Sequence, residues 1–126
     1  MDESTRFVLE ATALVHDIGI KAAEEKYGSC NGKLQEQEGP ALAEAMLTQL
    51  GFAEAVVQRV AYLVGHHHTY TNVDGMDYQI LLEADFLVNG YEDTLSTTAM
   101  QAALNNLFRT PTGIWICETM FGLSRS

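Results

Sequence analysis

The chain has 126 residues, 47% of them hydrophobic, with 17 Asp and Glu against 7 Lys and Arg, a formal net charge of −10. One domain of this length buries roughly two-thirds of the surface its unfolded form exposes, and no run of ~18 apolar residues offers a membrane span. The acidic field argues against a nucleic-acid polymer or an anionic membrane as partner, whereas a phosphate-bearing small molecule stays admissible because a bound cation can invert the local potential.

The start, Met1-Asp2-Glu3-Ser4, lacks the basic lead of a signal peptide. Phe7, Val8, Ala11, Leu14, Val15 and Ile18 recur at helical spacing and predict a helix over about 3–18, with Gly19 near its C-terminal end. A short helix follows at 21–27, then a loop at Gly28-Ser29-Cys30-Asn31-Gly32. Pro40 suits a first helical turn, so the next helix is placed at about 40–49, stopped by Gly51. Val56, Val57, Val60, Leu63 and Val64 mark a helix over about 53–67. Residues 69–76 are polar and end in Asp74-Gly75, a turn signal. An almost wholly apolar helix is placed at 77–89, and two more near 96–108 and 111–122, the last opened by Pro111 with Trp115 in the core. No strand is expected. The pattern predicts an all-α, compact single domain of about six or seven helices. Cys30 and Cys117 fit no metal or redox spacing, and a reducing, cytoplasmic setting is the default.

Three features carry chemistry. His16-Asp17 closes an apolar helix directly before Ile18-Gly19. Imidazole and carboxylate suit borderline or hard divalent metals; the plainer reading is a helix-end histidine with a solvated acid. Asp85 sits among Ile80, Leu81, Leu82, Ala84, Phe86, Leu87 and Val88, where an unpaired acid is costly. Either it and Glu83 lie at the core edge, or a metal or buried histidine pairs with it. His66-His67-His68 ends a helix after Gly65. Histidines there suit the helix dipole, or one of them faces the His16-Asp17 end. Tyr70, Asn72 and Asp74 follow in a loop able to rim a pocket.

The string Ala13-Leu14-Val15-His16-Asp17-Ile18-Gly19, Gly65-His66-His67-His68 closing a later helix, and Ala84-Asp85 in an apolar helix together resemble the HD-domain superfamily of metal-dependent phosphohydrolases. The resemblance implies an HD-domain-like fold over residues 1–126, with His16, Asp17 and Asp85 as metal ligands. The family's further, upstream histidine has no counterpart before His16, so the domain is expected to be N-terminally incomplete, and a homo-oligomer is expected to cover the face this opens. Binuclear members add a histidine where this chain has Gln35, Glu36 and Glu38, so one divalent ion (Mn, Mg, Fe, Co or Ni) is expected rather than two. The implied reaction is hydrolysis of a phosphomonoester or nucleotide by metal-activated water. Asp17 orients the water, a histidine of the triplet (His67) supplies a proton or holds phosphate, and Lys21 adds a positive contact. His66, His68, Glu36, Tyr70 and Asn72 are candidate substrate or supporting residues. The alternative is a partial or inactive HD domain serving as a structural or ligand-binding module, or an interaction protein whose histidines are structural.

Overall fold

The structure, a computed structural model, describes residues 1–125. Among them are seven helices and no strand: α1 (Glu3–Val15), α2 (Gly19–Tyr27), α3 (Gly32–Gln49), α4 (Glu54–Val64), α5 (Met76–Glu92), α6 (Thr97–Asn106) and α7 (Pro111–Phe121). The all-α expectation holds. Among the described residues no helix is long and apolar enough to cross a membrane.

Four of the seven helix starts carry a side-chain cap. Asp2 caps α1 by accepting from Thr5 N, Ser96 caps α6 by accepting from Ala99 N, and Thr110 caps α7 by accepting from Gly113 N. Three expectations need correction. The first helix ends at Val15 rather than residue 18, because the chain closes a tight turn there, with Ile18 N donating to Val15 O at 3.0 Å. Gly19 then opens α2 instead of ending α1. It has to be glycine: a Cβ there would lie 2.8 Å from Gln35 O and Gly39 N, so α2 starts hard against α3.

The second correction concerns α3, which begins eight residues before Pro40. Asn31 provides the cap by accepting from Leu34 N at 3.0 Å. Pro40 therefore sits inside the helix, where it cannot donate to the carbonyl of Glu36. The third concerns Trp115, expected in the core and found 65% exposed. Helix α7 buries Gly113 and Cys117, four residues apart, and a residue midway between them projects to the opposite side.

The core has two parts. One joins α1, α3, α4 and the first half of α5 through Val8, Leu47, Val60, Leu63, Leu81 and Leu82. The other joins the second half of α5 to α6 and α7 through Leu87, Met100, Leu104, Phe108 and Cys117. Helix α5 is apolar along most of its length because it serves both parts. Its two interior acids fall where they meet.

Candidate metal centre

The turn after α1, the turn after α4 and the middle of α5 bring five side chains together. His16 Nε2 lies 3.3 Å from Asp17 Oδ2 and 3.3 Å from Asp85 Oδ1. His67 Nε2 is 3.7 Å from Asp17 Oδ1, and His68 Nδ1 is 3.9 Å from Asp85 Oδ2. Ligand atoms of His16, Asp17 and Asp85 all lie within 4.8 Å of one another; so do those of His67, His68 and Asp85. Asp85 belongs to both groups.

Adjacent residues on a regular helix diverge by about 100°. His16 and Asp17 converge because they occupy the tight turn between α1 and α2. The histidines are aimed by their other nitrogens. His16 Nδ1 lies 2.9 Å from Ala13 O, and His67 Nδ1 lies 2.7 Å from Val64 O. A carbonyl only accepts, so each Nδ1 carries the proton and each Nε2 turns a lone pair toward the carboxylates, the arrangement that orients imidazole ligands. His68 is held the opposite way round: its Nε2 lies 3.1 Å from Gln35 Oε1, leaving Nδ1 toward Asp85. Gln35 is fixed in turn by donating from Nε2 to Cys30 O at 2.6 Å.

Three imidazole lone pairs and two carboxylates thus face one another. Acceptors this close repel unless something positive lies between them. A proton on His16 Nε2, between Asp17 and Asp85, can take that part. The hydrogen bond that His16 donates to Asp85 raises its pKa above the ordinary 6.5, against burial, with help from the Ala13 carbonyl and the Asp17 charge. The His67 hydrogen bond holds Asp17 below the ordinary 3.8. Burial, followed by the charge of His67, lowers His68. A divalent cation fits the donor set equally well: hard carboxylate oxygens with borderline imidazoles suit several first-row metals and Mg.

A cavity of about 230 Å³ opens beside this cluster, lined by Ala13, His16, Asp17, Leu81, Ala84, Asp85, Val88, Asn89 and Glu92. Asn89, one turn after Asp85, donates from Nδ2 to Asp85 Oδ2 at 3.1 Å.

The remaining sequence candidates divide. Tyr70 stands against Phe86 at 6.1 Å, and its hydroxyl is pushed up by burial and then by the charges of Asp85 and Glu36. Glu36 is committed to the fold, accepting from His68 N at 2.9 Å and from Thr69 Oγ1 at 2.8 Å. His66 turns away and stacks on Tyr62 at 4.1 Å. Asn72 is an exposed turn residue at φ 57°. Lys21 is 88% exposed and faces Glu25 at 4.0 Å, so it adds no positive contact to the cluster. Gln35 and Asn89 steer the cluster, and the sequence reading gave neither that role; the one available signal was the spacing of Asn89 from Asp85 on a shared helix face.

Glu83 answers the question its sequence raised. Only 2% exposed, it accepts at Oε2 from Gln79 Nε2 (2.6 Å), Arg109 N (3.0 Å) and Thr110 N (3.1 Å), and at Oε1 from Thr110 Oγ1 (2.5 Å). It closes the N-terminus of α7, where backbone N–H groups and the helix dipole favour an anion.

No family model, curated protein or solved structure matches the chain.

Proposed function

We propose that this protein is a metal-dependent phosphohydrolase of the HD-domain type, holding one divalent cation with His16, Asp17 and Asp85. The observation that carries the reading is the convergence of those three ligand atoms within 4.8 Å of one another, with Nδ1 of His16 anchored on Ala13 O. The phosphate chemistry rests on the resemblance of the His16-Asp17-Ile18-Gly19 string, which lies on the turn that makes the convergence possible.

A cation there would supply Lewis acidity to a phosphoryl oxygen and a more acidic bound water. The protein's own groups do the rest. Asp17 is half exposed at the cavity edge, so its carboxylate reaches a water entering from solvent and orients it. His67 is fully buried behind Asp17 and sets that carboxylate's position and charge. Asn89 holds Asp85 in its rotamer. Self-association belongs to the same proposal: Leu14, beside the doublet, is 88% exposed and Leu50 is 68% exposed.

The test is elemental analysis together with p-nitrophenyl phosphate hydrolysis in Mn, run on protein whose mass is read by light scattering. The expected result is about one metal per chain, an oligomer, and at least a ~100-fold rate loss in Asp17→Asn. Protein that takes up no metal and hydrolyses nothing removes the reading.

A specific observation favours a second reading. His16 Nε2 sits equally close to both carboxylates, so an imidazolium can bridge Asp17 and Asp85 without metal. The site would then be a proton-closed structural cluster, and the chain an inactive HD-type module. The same metal analysis separates the two.

A further inference from the structure

Resting on the phosphohydrolase reading, we propose that the substrate is a small aliphatic phosphomonoester bearing a protonated amine, and that Glu92 selects the amine. The cavity that joins Asp85 to Glu92 has a volume of about 230 Å³, below the roughly 300–1,000 Å³ of pockets that enclose larger organic ligands, and suits a short alkyl group between them; a second cavity of about 560 Å³ on Ala13–Ile18 and Met46 reaches neither Asp85 nor Glu92. The lining of the first cavity limits the chemistry. It contains no Phe, Tyr or Trp, so a nucleobase finds no stacking face there.

No Lys or Arg lines it either. Arg59 is held by Asp74 and Asp77, Lys26 by Glu38, Arg6 by Glu10, and Lys21 faces Glu25. The phosphates of a nucleoside di- or triphosphate would lack the clamps such groups ordinarily meet. A single phosphate can be neutralised by the cation alone.

Beyond the ligands the wall is aliphatic, formed by Leu81, Ala84 and Val88, and the rim is polar, formed by Asn89 and Glu92. Asp85, Asn89 and Glu92 share one face of α5, with Glu92 two turns, or about 10 Å, beyond Asp85. Asn89 spends a donor on Asp85, leaving its amide oxygen as an acceptor. Glu92 is exposed, with no cation within ion-pair distance among the described residues. An alkyl segment of a few carbons fits along Val88, with an ammonium at its end meeting the rim acceptors. In the reaction, water adds to phosphorus and the P–O bond to the alcohol breaks. The alkoxide takes the proton water gives up, and amino alcohol and inorganic phosphate leave.

Calorimetry with non-hydrolysable phosphonates tests selection apart from turnover. Mn-loaded protein is titrated with 2-aminoethylphosphonate and with ethylphosphonate, which lacks the amine. An exposed ion pair is worth up to ~1 kcal/mol, so the amine should tighten binding about fivefold. That ratio should fall to about one in Glu92→Gln and below one in Glu92→Lys. Equal binding by the parent protein, a ratio that survives Glu92→Gln, or tighter binding of a nucleoside 5′-monophosphate would overturn the proposal. If p-nitrophenyl phosphate is still hydrolysed in that case, the phosphohydrolase reading stands and only the amine selection fails. Absence of both metal uptake and hydrolysis removes both.

Discussion

His16 is the residue on which a proton and the proposed cation would compete. Its pKa is raised, chiefly by the Asp85 hydrogen bond, so the folded state holds that proton more tightly than the unfolded chain does. The resulting stability is fully present below pH 6.5 and is lost as pH rises through the elevated folded value. Asp17 runs the other way. Its lowered pKa gives stability that is present above 3.8 and lost as pH falls through the depressed value. Metal-free protein is therefore expected to draw most from this pair between about pH 3.8 and 6.5. Urea midpoints measured across pH should decline on the alkaline side in the parent protein and decline less in His16→Gln. Parallel curves would show that the proton does not bridge the carboxylates. This residue was legible because an acid in an apolar helix, Asp85, demanded a partner and few basic residues were on offer. The same reasoning applied equally to Glu83, and there it pointed the wrong way. Backbone N–H groups at a helix start answered Glu83, and a sequence pattern does not display which helix start will arrive.

At the scale of elements, that contact between α5 and α7 makes its own prediction. Gly113 leaves room for the Glu83 carboxylate; a Cβ there would collide with Oε1. Gly113→Ala is expected to cost about 1–3 kcal/mol through overpacking. Glu83→Gln should cost about the same, since an amide places donors against donors and leaves a buried group unpaired. Thr110→Ala, which removes the α7 cap, should cost about 1 kcal/mol. Denaturant midpoints measure all three, and Glu83→Gln with a midpoint equal to the parent's would show the buried carboxylate to be dispensable. Helix existence was readable from apolar periodicity in nearly every case, and helix limits were not. Pro40 looked like a beginning because proline fits a first turn; the true beginning depends on Asn31 and on Gln35, a polar residue buried for the sake of His68. Trp115 looked like core because α7 is apolar all round, and only the packing of Gly113 and Cys117 decides which face turns inward.

For the whole molecule, the net charge of −10 complicates any metal experiment, because every divalent cation relieves self-repulsion to some degree. The specific effect has a different signature. A cation at 100 times its dissociation constant stabilises the folded state by about 2.7 kcal/mol, and for a domain of this size each kcal/mol moves the melting temperature by about 4 °C. Saturating Mn is thus expected to raise Tm by about 10 °C over NaCl of equal ionic strength, reversibly with chelator. Asp85→Asn changes net charge by a single unit while removing the carboxylate shared by both ligand groups. It should keep the modest gain from added salt and lose the Mn increment. Equal increments in the parent and Asp85→Asn proteins would assign the effect to diffuse screening of an acidic surface, and the cluster of His16, Asp17 and Asp85 would then be held together by its proton alone.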